Sequence, residues 1–244
     1  MAVARLPFVI ANAVSLYVSF RPPNVTPDSD ELNKYKDNKD ARDILTPILG
    51  IVMPPIHALN TALGLCEVYL LLSTVYPSLH VPELHRFLLP TGTKPLAADD
   101  FYLSSGYVAG SILMYASAYL RVLCFRTLGR HFTFELSLRK EHKLITAGPY
   151  SIVRHPSYLA ATGALLGMII TQLFCHGTWW IESNMWITWQ GQLFGAFWIA
   201  LATFLAGALL SRVPKEDYML KTEFKGQWTE WAQKTPYTVI PFIW

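Results

Sequence analysis

Five long apolar segments divide this chain, and they constrain its fold more than any other feature of the sequence. They are Leu6 to Phe20, a stretch within Ile44 to Pro77, Phe101 to Phe125, Tyr158 to Cys175 and Trp186 to Leu210. A hydrocarbon core of about 30 Å is crossed by about 20 helical residues, and inside it only helices and closed barrels satisfy their backbone groups. With 52% hydrophobic and 15% charged residues, a chain of 244 residues is too apolar for a soluble domain. We therefore predict an all-α integral membrane protein with about five transmembrane helices and no β-sheet of consequence.

Two of these segments are not simple crossings. The first is short, so it remains open whether it spans the membrane, acts as a signal anchor or lies at the interface. The second contains Met53-Pro54-Pro55, which predicts a kinked or broken helix. We expect Glu67, within the same segment, to pair with a neighbouring helix, because a carboxylate inside the membrane is costly without a partner.

Basic residues alternate between the connecting segments. Six polar segments precede, separate and follow the five apolar stretches. In chain order, the first to the sixth hold one, five, two, six, no and five Lys and Arg residues. Because cytoplasmic loops retain positive charge, this pattern predicts an N-terminus outside or in the lumen. It also predicts that the fourth polar segment and the C-terminal tail share the cytoplasmic side. The net charge of +3 is too small to indicate a nucleic-acid partner.

The three cysteines indicate neither a disulfide framework nor a metal site. Cys66, Cys124 and Cys175 lie in or beside apolar segments, and none belongs to a Cys-x-x-Cys pair. We predict that they are buried thiols that pack as small hydrophobic side chains.

Chemically versatile side chains concentrate just before the fourth apolar segment. The stretch GPYSIVRHPSY places Tyr150, Arg154, His155 and Tyr158 around a proline. The polar residues before it, FTFELSLRKEHKLITA, are too many for a simple connector. We therefore predict a loop that folds back on the membrane and builds a pocket between the third and fourth spans.

The tail after the fifth apolar segment carries a second group of candidate functional side chains. It begins SRVPKEDYML, with Ser211 as the expected N-cap, and its aromatic residues recur at helical spacing. This predicts an amphipathic helix along the cytoplasmic membrane surface. Arg212 and Glu216 are four residues apart, so they share one side if the helix continues through Pro214. Such a pair is often an interfacial anchor, but beside His155 on the same side of the membrane it becomes a candidate site.

The two motifs, in this order around a helical hairpin and followed by a Thr-Pro-Tyr ending, resemble the isoprenylcysteine carboxyl methyltransferase family. The resemblance is closest to the family's fungal members and runs from about Phe132 to the C-terminus. It implies S-adenosylmethionine as the cofactor, bound without a Rossmann domain, and the sequence has no G-x-G-x-x-G between a strand and a helix. It divides the chain into an N-terminal membrane region, residues 1–125, and a methyltransferase region, residues 126–244. We further expect the endoplasmic reticulum membrane, with the active site on the cytoplasmic side that the basic residues indicate.

The family's cofactor positions carry over to a defined set of residues. These are Glu135, His142, Lys143, Leu144, Ile145, Tyr150, His155, Pro156, Ser157, Tyr158 and Glu216. Carboxylates can accept hydrogen bonds from the cofactor's ammonium or ribose hydroxyls, and tyrosine rings can face its adenine or sulfonium. Free N–H groups where Pro156 begins a helix are expected to meet its carboxylate. Arg212 carries over as the contact to the substrate carboxylate, and the resemblance makes Arg212 and Glu216 the expected catalytic residues.

The implied reaction is methyl transfer to the C-terminal carboxylate of a prenylated cysteine. With a reference pKa of about 3.3 to 3.7, that group is already an anion at neutral pH, so it requires orientation and no general base. The implied partners are the C-termini of prenylated proteins and membrane lipid, with no nucleic acid.

Two other interpretations stay open. One is a methyltransferase of the same architecture that acts on a lipid amine such as phosphatidylethanolamine, whose members share the RHPxY and acidic motifs. The other is a non-catalytic membrane scaffold that keeps the motifs as interface anchors. We count Glu67 as the only charge inside the apolar segments, which argues against a transporter.

Overall fold

The computed structural model describes residues 2–24, 27–28, 45–137, 139 and 141–243, and for 45–49 the backbone alone. These residues form helices and turns without a strand, and five of the helices are long and apolar enough to cross a membrane. The predicted all-α membrane fold is therefore confirmed. Four of the basic residues counted between the first two apolar segments, Lys34, Lys36, Lys39 and Arg42, lie outside the described residues.

The helices follow the predicted segments closely. In chain order they are α1 (Leu6–Phe20), α2 (Leu45–Val75), α3 (Pro82–Leu88), α4 (Ser105–Leu128), α5 (Pro156–Ile169), α6 (Trp179–Glu182), α7 (Trp189–Ser211), α8 (Val213–Phe224) and α9 (Gly226–Lys234). Short 3₁₀ turns lie at Ala2–Arg5, Pro77–Leu79, Ala98–Asp100, Gly129–His131, Gly148–Ser151 and Met185–Ile187. A π-helical turn, Ile170–Phe174, extends α5.

Two local predictions differ from the structure. The α2 helix continues through Met53-Pro54-Pro55, so it is not broken there, and the kink that the sequence also allowed stays a prediction. Ser211 is not the N-cap of the tail helix, because its hydroxyl donates to Ala208 O (2.7 Å) at the end of α7. The tail also forms two helices, since the chain turns at Lys225 with a positive φ of 46°.

One compact unit comprises Met1–Tyr17, Pro55–Ala116 and Gly163–Phe204. In it α4 and α5 approach closely at two glycines, because a Cβ on Gly167 would lie 2.9 Å from Gly110 O. Small residues at such crossings allow two helix backbones to pack in a membrane.

The same unit contains a buried ion pair. Arg5 Nε lies 2.6 Å from Glu67 Oε1, and the guanidinium carbon lies 3.8 Å from the centroid of the Tyr107 ring. The expectation that Glu67 has a partner on a neighbouring segment is confirmed, since a buried charge is strongly unfavourable without one.

The second unit comprises Val18–Pro54, Ser117–Thr162 and Leu205–Trp244. Its core is formed by Cys124, Leu136, Tyr150, Met219, Leu220 and Trp231. The tail's apolar face was predicted to lie on the membrane, but Leu220 and Trp231 are buried, and Trp231 Nε1 donates to Tyr150 O (3.0 Å). Part of that face therefore packs on the protein itself. The division of the chain at residue 125 stays a prediction.

The burial predicted for the three cysteines is confirmed for two of them. Cys124 and Cys175 are buried, Cys66 is half-buried, and all three are free thiols.

Candidate active site

A cavity in the second unit brings most of the predicted site residues together. It is a cleft open to solvent at its mouth, with a cavity volume of about 100 Å³. Ten predicted residues line it, namely Glu135, His142, Leu144, Ile145, Tyr150, His155, Ser157, Tyr158, Arg212 and Glu216. Among the described residues, Lys143 is exposed and Pro156 is buried at the start of α5, and neither lines the cavity. The contacts of these residues with a cofactor stay predictions.

The GPYSIVRHPSY stretch folds into a turn followed by a helix start. Gly148 has a φ of +60°, a conformation that glycine adopts without strain, and it begins a 3₁₀ turn that buries Tyr150. Pro156 is the first residue of α5, where its missing N–H is not required. The N–H of Tyr158 donates to His155 O (3.2 Å), so this amide is not free for the anion that the sequence predicted at the helix start.

His155 lies between two carboxylates. Its Nε2 is 2.9 Å from Asp217 Oδ1 and its Nδ1 is 3.4 Å from Glu216 Oε2, and the residue is 3% exposed. Carboxylates only accept hydrogen bonds, so both ring nitrogens donate and the ring is an imidazolium. Burial lowers the pKa of His155, but hydrogen bonds to Asp217 and Glu216 outweigh it and raise the pKa to about 9. The Tyr158 hydroxyl also hydrogen-bonds to Glu216, which fixes that carboxylate from a second direction.

Arg212 connects α7 to α8 and is 5% exposed. Its backbone is helical (φ −80°, ψ −22°), and Glu216 N donates to Arg212 O (2.9 Å). The helical course therefore continues through Pro214, as required for Arg212 and Glu216 to line the same cavity. Arg212 Nη1 donates to Phe134 O (2.8 Å), which ties the guanidinium to the loop that follows α4.

Arg121 on α4 also lines the cavity, and the sequence analysis missed it. It is 4% exposed, and its Nε donates to Ser19 O (2.9 Å) while its Nη1 donates to Ser157 O (3.1 Å) and to the Ser157 hydroxyl. Its guanidinium carbon lies 5.0 to 5.3 Å from the ring centroids of Phe125, Phe132 and Phe134. The statement that Glu67 is the only charge in the apolar segments is therefore wrong. The sequence does contain a signal that could have identified Arg121. An arginine inside an apolar segment marks a functional site by default.

Several residues of the cavity wall carry a buried polar atom without a hydrogen-bond partner in the part of the chain that the structure describes, among them His131, Ser137, His142 and Arg154. For Ser137 and His142 these atoms are Oγ and Nδ1. Burial, with the charge of His131, lowers the pKa of His142 to about 4, so the ring is neutral at physiological pH. An unpaired buried polar atom is unfavourable by about 1 to 3 kcal/mol, so the wall is suited to a polar ligand.

The fold and the cavity by themselves define the class of protein to which this chain belongs. It is a polytopic helical membrane protein with a cleft lined by apolar and polar side chains, in which a clamped carboxylate lies with buried guanidinium groups. Residues 110–194 match the model of the isoprenylcysteine carboxyl methyltransferase family. The family resemblance that the two motifs indicated is confirmed.

Three curated relatives come from plants. Protein-S-isoprenylcysteine O-methyltransferase B of Arabidopsis thaliana is 35% identical over 127 residues, which cover 51% of this chain and 53% of the relative. A probable protein-S-isoprenylcysteine O-methyltransferase of Oryza sativa subsp. indica is 30% identical over 137 residues, or 55% of this chain and 60% of the relative. Protein-S-isoprenylcysteine O-methyltransferase A of Arabidopsis thaliana is 28% identical, with 55% and 58% covered. The chain thus spans little more than half the length of the relatives it matches, and a closer likeness to fungal members stays a prediction.

Proposed function

We propose that this chain transfers the methyl group of S-adenosylmethionine to the C-terminal carboxylate of a prenylated cysteine, giving a methyl ester. The family match and the relatives' names support methyl transfer to prenylcysteine. The observation that carries the proposal is one cavity lined by both Glu216, which His155 clamps, and the buried Arg212. An interfacial anchoring role would require neither the clamp nor the burial.

The residues of the cavity fit S-adenosylmethionine. Glu216 and Glu135 are acceptors for its ammonium and ribose hydroxyls, and the rings of Tyr150 and Tyr158 suit its adenine and sulfonium. The unsatisfied Ser137 hydroxyl offers a further hydrogen bond to a polar ligand. When bound, the cofactor supplies an electrophilic methyl carbon.

Arg212 is assigned to the substrate carboxylate. A guanidinium presents a planar fork of donors that matches a carboxylate, and the hydrogen bond to Phe134 O already orients it. The carboxylate is ionised at neutral pH, so the residue acts by orientation and by charge neutralisation. Because the nucleophile carries no proton to remove, no general base is needed, and positioning of this kind can lower the barrier by several kcal/mol.

The direct test uses membranes that contain the full chain. They are incubated with methyl-labelled S-adenosylmethionine and either N-acetyl-S-farnesylcysteine or phosphatidylethanolamine. A base-labile methyl ester on farnesylcysteine is the expected result, with Glu230→Gln, an exposed change in the tail, as the active control. A base-stable methylated lipid amine would favour the phospholipid alternative. Absence of both transfer and cofactor binding would favour the scaffold.

We further propose that the site faces the cytoplasm, in the endoplasmic reticulum membrane. The six and five basic residues of the two site-bearing segments, against two and none in the segments around them, support this orientation. Glycosylation tags inserted in residues 78–100 and 177–185 should be modified in cells. Modification of a tag placed after residue 244 would contradict the orientation.

A further inference from the structure

The end of the chain lies against the turn that carries His155. Residues 235–238, which we call the strap, follow α9. Arg154 N donates to Tyr237 O (2.9 Å), and His155 N donates to Thr238 O (2.8 Å). The Arg154 guanidinium adds three hydrogen bonds, to Thr235 O (3.0 Å), Pro236 O (2.8 Å) and Thr238 Oγ1 (2.9 Å). The strap is therefore held along its full length by the two residues that precede α5.

Asp217 connects this anchor to the cavity. Its Oδ2 accepts from Arg154 Nη2 (3.2 Å), and its Oδ1 accepts from His155 Nε2 (2.9 Å). The opposite ring nitrogen of His155 lies against Glu216. Among the described residues that line the cavity, Arg154, His155 and Glu216 are present and Asp217 is not. Asp217 therefore acts on a bound ligand through the two cavity residues that it contacts, His155 and Arg154.

We propose that Asp217 is a positioning residue that, with Arg154 and the strap, holds His155 with both ring nitrogens donating and so fixes the Glu216 carboxylate toward the cofactor. This inference rests on the proposed function for the identity of the ligand. The series of contacts from the strap to Glu216 does not depend on the identity of the ligand, because every contact in it lies within the protein.

The charges around His155 explain why Asp217 matters. Glu216 and Asp217 face the two ring nitrogens, Tyr158 lies beside the ring with centroids 5.7 Å apart, and Arg154 lies beyond Asp217. Asp217 makes the shorter of the two carboxylate contacts. Without its charge, burial favours the neutral ring. A neutral ring no longer needs to donate to Glu216, and the carboxylate loses its clamp.

The test compares Asp217→Asn with Asp217→Glu and with Glu230→Gln, a charge removal at an exposed position of the same tail. The full-length protein is labelled with ¹⁵N-histidine in lipid nanodiscs, and the His155 signal is assigned by its loss in His155→Asn. His155 of the wild type and of Glu230→Gln should keep both protons until pH approaches 9. In Asp217→Asn the midpoint should fall by at least about one pH unit, and Asp217→Glu should restore most of it.

Cofactor binding gives the second measurement. The Kd of S-adenosylmethionine for Asp217→Asn at pH 8 should rise by on the order of tenfold, with little change for Glu230→Gln. An unchanged His155 midpoint in Asp217→Asn would overturn the proposal, and so would a lower midpoint with an unchanged Kd. A wild type that binds no S-adenosylmethionine but shows the midpoint shift would support the coupling of Asp217 to His155 and overturn only the proposed function.

Arg154→Lys tests the contribution of Arg154 and the strap together. Lysine keeps a positive charge beside Asp217 but has no fork for the carbonyls of residues 235 and 236. Amide hydrogen exchange of residues 235–238 should increase, and the Kd of S-adenosylmethionine should rise. Faster exchange with an unchanged Kd would remove the strap and Arg154 from the positioning role.

Discussion

Replacing Arg212 with lysine tests the sharpest part of the proposed chemistry. The side chain lines the cavity, is 5% exposed and donates to Phe134 O over 2.8 Å. Lysine retains the charge, but its single nitrogen cannot hold Phe134 O and also present a planar fork to a carboxylate. If Arg212 were only an anchor at the membrane interface, lysine would serve equally well.

The expected loss of turnover follows from the hydrogen bond that the substitution removes. A hydrogen bond to a charged group contributes about 1.5 to 3 kcal/mol, and each 1.36 kcal/mol in the barrier is a factor of ten. Turnover of N-acetyl-S-farnesylcysteine should therefore fall on the order of tenfold to hundredfold. The KM for S-adenosylmethionine should change far less, because Glu216 and the turn carrying His155 are untouched.

Arg130→Lys is the matched control. Its side chain is 67% exposed and lies outside the cavity lining, so the same chemical change there should leave turnover unaltered. Both variants are assayed in membranes at equal protein level, with kcat and both KM values measured. An Arg212→Lys enzyme with wild-type turnover would remove Arg212 from the site and refute the orientation argument.

Three further substitutions separate cofactor binding, stability and pH dependence. Glu216→Gln should raise the KM for S-adenosylmethionine on the order of tenfold with a smaller effect on kcat, because an amide does not neutralise an ammonium group; steady-state kinetics decide it. Glu67→Gln leaves the buried Arg5 guanidinium without its carboxylate and should destabilise the protein by about 3 to 5 kcal/mol in thermal unfolding, whereas the exposed Glu83→Gln should not. The pKa of His142 is lowered to about 4, so the unfolded chain takes up this proton first as pH falls and stability drops between about pH 6.5 and 4. His142→Phe should reduce that drop, measured as the melting temperature at pH 7 and pH 5.

The membrane architecture could be predicted because its cause is local. A helix that crosses lipid must be predominantly apolar over about 20 residues, so each span is visible in the sequence alone. The details that failed depend on packing. The prolines at 54 and 55 did not interrupt α2, and a positive φ at Lys225 divided the tail into two helices. Neither outcome follows from the composition of a single segment.

The candidate site could be predicted where a motif carried it. Residues His155, Tyr158 and Glu216 belong to the two quoted stretches and line one cavity. Lys143 belongs to the same carried-over set, but its side chain is exposed. Its neighbours at 142, 144 and 145 line the cavity, and Lys143 does not. A motif identifies a segment, whereas the face that each residue presents is set by the backbone of the loop.

Arg121 and Asp217 show what the carried-over set of site residues leaves out. Arg121 lies 33 positions before Arg154 and reaches the cavity only because α4 packs beside the start of α5, where it donates to Ser157 O. Asp217 stands next to Glu216 in the sequence, yet it lies behind His155 and outside the cavity lining. Both residues contact groups that the motifs contain. Arg121 donates to the backbone of the HPSY turn, and Asp217 accepts from the histidine ring. Arg121 and Asp217 thus lie behind the residues that the motifs identify: Arg121 contacts Ser157, and Asp217 contacts the histidine ring that faces Glu216.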